Sequence, residues 1–175
     1  MGPYRYELFP FEPNDYRYLL PLLRSAQEKN CLKWVVLGVR DPGPEDVIKL
    51  LSTVGASVVA TLDRKTDRMA TVYLLHNFTG RRAQFHFIGD PALYGKRMRD
   101  AGREGIEQIF RYFSIETLWS EVPITNRLVR KIARDIGFKE KTVLTNAFNI
   151  VNTQTDGLDT VDGVIIQLNK DEMRW

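Results

Sequence analysis

Phe85-His86-Phe87-Ile88-Gly89-Asp90-Pro91-Ala92-Leu93-Tyr94-Gly95-Lys96-Arg97-Met98 is the stretch on which the reading of this chain turns. It closes a β-rich run, 83–89, with a turn at Asp90-Pro91. Gly95 then opens a second run, 95–113, in which Met98, Ala101, Ile106, Ile109, Phe110 and Phe113 recur at the helical period. A strand that turns into a basic helix start is an anion site in outline. The first amides of a helix have no acceptor within it, and the helix dipole adds positive potential there. Lys96, Arg97 and Arg99 supply further charge, so a di- or triphosphorylated ligand would suit the place. The alternative left open by this segment alone is an ordinary strand-to-helix turn with solvated basic side chains.

Upstream, runs 57–62 and 69–75 read as two more strands, and the polar turns 64–67 and 77–81 make the three an antiparallel meander. Residues 4–11 read as a strand. Pro13-Asn14-Asp15 breaks it and offers a helix cap. A helix is expected over 15–29, striped by Tyr16, Leu19, Leu22, Leu23 and Ala26, with Asn30 as its stop. Residues 31–39 fit either a strand or a buried connection. A turn at 41–44 then leads into a short helix with Val47, Leu50 and Leu51 on one face.

Downstream, 117–122 reads as a strand and 126–136 as a helix that turns Leu128, Val129, Ile132, Ala133 and Ile136 inward, with Gly137 as its C-terminal cap. Strands 139–148 and 161–168 follow, with a polar loop, 152–159, between them. Gly102 and Gly105 lie inside the 95–113 helix, where each costs about 1 kcal/mol relative to alanine, so close packing on a sheet is their expected reason. The order is β-α-α-β-β-β-α-β-α-β-β. It implies an α/β (α+β) fold with a mixed sheet and at least one parallel pair reached by a crossover helix. No repeat or linker divides the chain, so a single domain over 1–175 is expected.

Composition narrows the function classes. The net charge of +3 is too small to point to nucleic acid, although Lys96, Arg97, Arg99 and Arg103 form one basic cluster and Arg127, Arg130, Lys131 and Arg134 another. No apolar run approaches the roughly 20 residues that cross a bilayer, so no membrane partner is expected. The N-terminus shows no secretory pattern. The single cysteine, Cys31, cannot form an internal disulfide and is expected to be a buried thiol. The two histidines, His76 and His86, are too few for a metal site of several Cys and His, so no metal is expected. These features suit a reducing, cytoplasmic setting.

The segment Phe87-Ile88-Gly89-Asp90-Pro91-x-x-Tyr94-Gly95-Lys96 resembles the cofactor loop of the GNAT N-acetyltransferases. It is nearest the branch that modifies spermidine or ribosomal-protein N-termini. Asn126 and the Gly137-Phe138 pair match, in spacing, the Asn that starts the family's next helix and the Gly-Phe that ends it. The resemblance covers roughly residues 57–148. It implies acetyl-CoA in a cleft where the strand at Phe87-Ile88 parts from the strand at Trp119. The backbones of Phe87 and Ile88 would pair with the pantetheine arm. The amides of Tyr94, Gly95, Lys96, Arg97 and Met98 would cradle the diphosphate. Asn126 would bond the pantetheine or cap its helix.

There are departures from the family pattern. Ala92 stands where Gln or Arg is usual, Arg97 where a small residue is usual, and Ala133 where many members carry a catalytic Tyr. The candidate catalytic groups are His86, with an unperturbed pKa near ~6.5 suited to neutral pH, and Glu121 on the splayed strand. The expected activity is acetyl transfer to a small amine or a protein amino group. The alternative is a binding or structural protein that keeps the fold without turnover. The Leu118-Trp119 strand with the Asn126 helix also resembles short GNAT-like proteins of tailed bacteriophages, some of them virion components. A homodimer is left open.

Overall fold

The computed structural model describes residues 4–9, 18–54, 56–152, 154–155 and 157–173, with only the backbone at 4, 6–9 and 54. Its elements, in chain order, are β1 (Tyr4–Phe9), α1 (Leu20–Glu28), α2 (Pro44–Val54), β2 (Ser57–Asp63), β3 (Met69–Thr79), β4 (Arg82–Gly89), α3 (Lys96–Tyr112), β5 (Thr117–Pro123), α4 (Arg127–Ile136), β6 (Lys139–Asn152) and β7 (Gly157–Asn169). The seven strands form one sheet in the order β1-β2-β3-β4-β5-β7-β6. β4 and β5 are parallel, joined through α3, and every other neighbouring pair is antiparallel. The element order and the mixed sheet are those expected from the sequence. The expected 13–15 break and the ends of the 4–11 and 15–29 elements lie outside the described residues.

Two apolar layers hold the sheet. On one face Val58, Ala60, Val72, Leu74 and Ile88 pack with α1 and α2 through Leu22, Leu23, Val47 and Leu51. On the other, Val59, Tyr73, Leu75, Phe85, Leu118 and Val122 pack with α3 and α4 through Ile106, Ile109, Phe110 and Ile136. Alternate residues of β2 and β3 feed opposite layers, which is why both strands read as nearly unbroken apolar runs. Asn30 does end α1, with φ of 52°. Residues 31–39 are not a strand. They form a 3₁₀ turn at Leu32–Trp34 and an irregular, half-buried connection.

The glycines of α3 have the reason the sequence suggested. A Cβ on Gly105 would sit 2.4 Å from Cε2 of Tyr73, so the helix rests directly on that ring. Tyr73 is fully buried, and its hydroxyl donates to the carbonyl of Gly102 at 2.7 Å. Helix and sheet therefore meet through one aromatic edge and one buried hydrogen bond.

Two expectations are corrected. The polar segment 152–159 is not a long loop. β6 runs to Asn152 and β7 starts at Gly157, with Asn152 donating to Asp159 at 2.8 Å across the pair. Cross-strand bonds between polar side chains let a sequence with little apolar signal extend the hairpin. Leu128, expected in the core, is 45 % exposed. The apolar stripe of α4 is shared between two surfaces. Ala133 and Ile136 face the core, while Leu128, Val129 and Ile132 border a cleft.

Candidate active site

β4 and β5 pair only at Arg82–Thr117, Ala83–Leu118 and Gln84–Trp119. Beyond these residues each stays with its outer neighbour. β4 remains paired to β3 as far as Gly89, and β5 to β7 as far as Pro123. The strands therefore part, and a cleft of about 640 Å³ opens between them. Its walls are β4 from Phe85 to Gly89, β5 from Ser120 to Pro123, the start of α4, and the connection after α1 from Lys29 to Val35. Main-chain groups of β4 that face β5 past Gln84 have no strand partner among the described residues. They are hydrogen-bonding groups available to an extended ligand.

The loop that follows β4 is built around Asp90. This side chain is buried and accepts from the amide of Ala92 at 3.0 Å and the hydroxyl of Ser25 at 3.1 Å, while Arg68 lies 3.6 Å away. The Asp90 amide donates to Ala70 at 2.9 Å. The loop is thus tied to β3 and α1 before α3 begins. Gly95 stands at the helix start with φ of 99° and ψ of −137°, a conformation open essentially to glycine. It offers no side chain to cap the helix, so the first-turn amides of Lys96 and Met98 stay available to an anion. Met98 turns its side chain into the core, against Gly89 at the end of β4.

His86, Phe87, Ile88, Tyr94, Glu121 and Asn126 all line the cleft. Gly95, Lys96, Arg97 and Met98 do not; they lie just past Tyr94, at the first turn of α3. Arg97 is exposed and takes no part in the cleft wall, so its bulk does not close the cavity. Asn126 caps α4, accepting from the amide of Val129 at 3.2 Å, and its amide nitrogen bonds no described residue. Ala133 lies in the core and leaves the cleft without a hydroxyl from that turn of α4.

His86 and Glu121 lie on the strands that flank the opening. His86 alternates with Phe85 and Phe87, which places it on the α1 side of the sheet with Ile88. Glu121 alternates with Ser120 and Val122 and takes the same side on β5. The Glu121 carboxylate makes no hydrogen bond or ion pair with a described residue. His86 stacks on His76, with ring centroids 4.9 Å apart and planes 5° from parallel. Burial, and secondly the neighbouring imidazole, lower its pKa to about 4. Burial lowers His76 too, against an opposing bond with Asn77.

Both rings are therefore neutral at pH 7, and His86 can accept or donate a hydrogen bond but carries no charge. Stability is expected to follow. Above pH 6.5 both folded and unfolded His86 are neutral; between 6.5 and about 4 only the unfolded chain gains the proton. The melting temperature should fall by several degrees from pH 7 to pH 5, and His86→Gln should remove much of that fall. A flat profile would mean that the stacked pair is protonated in the folded state.

The sequence reading missed the cleft wall formed by the connection after α1. Cys31 is half-buried rather than buried, lines the cleft, and lies 3.3 Å from the hydroxyl of Tyr94. Burial first, and the Cys31 bond second, raise the Tyr94 pKa, so that hydroxyl stays protonated. Lys29, Lys33 and Trp34 also border the cavity, and Lys33 sits over the Trp34 ring at 5.4 Å. No spacing rule marks these residues, because an irregular connection has no period. Of the second basic cluster, Arg130 is held by Glu140 through two bonds of 2.8 Å and Lys131 by Asp135 at 3.0 Å. Among the described residues no group of His, Cys, Asp and Glu could hold a metal ion, and no helix is long and apolar enough to cross a membrane.

A mixed sheet that splits between its two parallel strands, with an uncapped helix start at the end of the split, defines an architecture shared with known acetyltransferases. The ribosomal-protein-S5-alanine acetyltransferase of Vibrio fischeri superposes with a TM-score of 0.67 at 15 % identity, covering 100 % of this chain and 97 % of that one. Spermidine N-acetyltransferase from Vibrio cholerae, solved with CoA and spermine, gives 0.68 at 16 %, over 96 % and 97 %. A GNAT-family acetyltransferase of Bacillus anthracis gives 0.67 at 13 %, over 96 % of each. No protein-family model and no curated protein matches the sequence. The chain has the GNAT acetyltransferase fold, and the resemblance carried by the 87–96 loop identified it correctly.

Proposed function

We propose that the protein is an acetyl-CoA-dependent N-acetyltransferase acting on a small amine or a protein amino group. The observation that carries this reading is the cleft between β4 and β5, which leads from unpaired strand backbone to an uncapped helix start. Acetyl-CoA would supply an acetyl group activated as a thioester. The residues present fit it. Main-chain groups of Phe87 and Ile88 would hold the pantetheine arm as an added strand. The amides at Gly95, Lys96 and Met98, with the charges of Lys96 and Arg97, would hold the diphosphate; the Tyr94 amide, which the resemblance also offered, is already given to the carbonyl of Pro91. The amide nitrogen of Asn126 is placed to donate to the arm.

Glu121 and neutral His86 then face the acceptor. An amine arrives as an ammonium ion and must shed a proton before its lone pair can attack. The C–N bond forms as the C–S bond breaks, and the second proton that the nitrogen sheds balances the one the leaving thiolate takes up. Glu121 orients the amine and draws off its proton, directly or through water, while His86 supplies a neutral hydrogen-bonding partner beside it. Calorimetry with acetyl-CoA should give saturable heat, and addition of an accepted amine should release free thiol. No heat and no thermal shift at millimolar acetyl-CoA would end the proposal.

One observation favours the second reading, a GNAT-fold binding protein without turnover: Ala133, in the core, replaces the hydroxyl that many relatives place there. Under that reading coenzyme A binds and no amine releases thiol. Virion association belongs to the same reading.

A further inference from the structure

The charges around the cleft say what kind of amine fits. Among the described residues, Glu121 is the one carboxylate in the wall, against the two ammonium groups of Lys29 and Lys33. His86 adds no charge at neutral pH. The side chain of Lys29 pairs with no described residue, and the Trp34 ring holds Lys33 at the border of the cavity. Next to it a smaller depression of about 280 Å³ shares Asn30, Lys33 and Trp34 with the cleft. Two carboxylates border that depression: Asp41, highly exposed beside Arg40, and Asp159, which accepts from Asn152 at 2.8 Å. Within the cleft itself, an acceptor with several ammonium groups would find one described carboxylate for its reacting end and lysines for the rest.

We propose that the acceptor carries an anionic group a few bonds from its amine, as amino acids and acidic peptides do, and that Lys29 and Lys33 receive that anion while Glu121 receives the amine. The inference rests on the acetyltransferase reading and adds the substrate class to it. It separates this chain from the structural neighbour crystallised with spermine, whose fold it shares. Opposite charges on two walls of one cleft, Glu121 on β5 and the lysines on the connection after α1, would fix the acceptor's direction as well as its identity.

The test uses two amines that differ only in the group at the far end of one methylene chain: ε-aminocaproate, which ends in a carboxylate, and cadaverine, which ends in a second amine. The full chain is first loaded with coenzyme A, then titrated with each; kcat/KM is measured in parallel with acetyl-CoA. Aminocaproate should be preferred by roughly tenfold or more in both measurements. Lys33→Glu, or Lys29→Glu as an independent variant, should reverse the order with an unchanged melting temperature.

Equal or better use of cadaverine, or no binding of either amine to the coenzyme A-loaded protein, overturns the proposal. So does a Lys33→Glu variant that loses affinity for coenzyme A but keeps the wild-type order of acceptors, because the lysines would then serve the cofactor. Failure of coenzyme A itself to bind is a different result, and it removes the acetyltransferase reading beneath.

Discussion

Glu121→Gln is expected to slow acetyl transfer by roughly two to four orders of magnitude while coenzyme A binds as before. The substitution keeps the shape of the side chain and removes its charge. Glu121 lies on the wall of the cleft with no ion pair to a described residue, so the change leaves no buried partner stranded and the fold should not suffer. The loss belongs to kcat and to acceptor binding together, because the carboxylate both places the amine and draws off its proton. A weaker base also needs the amine to arrive already neutral, so activity in the variant should recover as pH rises towards the amine's own pKa. Thiol-release kinetics from pH 6 to pH 10 would show it. A variant with wild-type kcat/KM at neutral pH would take Glu121 out of the mechanism.

Gly105→Leu is expected to be the most damaging single change to the fold, at about 3 kcal/mol or more. The space for its Cβ is already filled by Cε2 of Tyr73 at 2.4 Å, and Thr61 is 3.1 Å away on the next strand. Neither can retreat. Tyr73 is fully buried and bonded to Gly102, and Thr61 shares a 2.7 Å hydroxyl bond with Thr71. α3 would have to lift from the sheet, and its first turn would move with it. The variant should therefore lose coenzyme A affinity as well as stability. Denaturant unfolding should show a lower midpoint at unchanged slope. A loss below about 1 kcal/mol would mean that the helix is not seated as described.

Much of the fold was legible because its central elements each carry one clear period. β2, β3 and β4 announce themselves through apolar runs cut by polar turns, and α3 through a stripe from Met98 to Phe110. Gly102 and Gly105, poor helix formers, pointed correctly to close contact with the sheet. Asn126 and Gly137 marked both ends of α4.

Where a residue serves two surfaces, the pattern misled. Leu128 fits the helical stripe of α4 but faces the cleft, because an apolar cleft wall and an apolar core have the same signature. The hairpin of β6 and β7 extends through polar residues whose pairing depends on each other and not on a buried face.

The site divides in the same way. The half proposed for the cofactor is made of backbone geometry that a glycine and a turn reveal: Asp90 locks the loop, and Gly95 leaves the helix start without a side-chain cap. The half proposed for the acceptor comes from an irregular connection, where Lys29, Cys31, Lys33 and Trp34 meet the sheet only in three dimensions. The stacking of His76 on His86, which adds to burial in keeping His86 neutral, depends on two strands lying side by side, and neither residue signals it alone.

Titration of isotopically labelled protein with coenzyme A, followed through backbone amide resonances, tests the central claim most directly. The account predicts that the largest shifts fall on the amides of Lys96, Arg97 and Met98 and on the β4 amides between Phe85 and Ile88 that face the opening. Resonances in those two segments that stay fixed at saturating coenzyme A, or shifts confined to other parts of the chain, would contradict it.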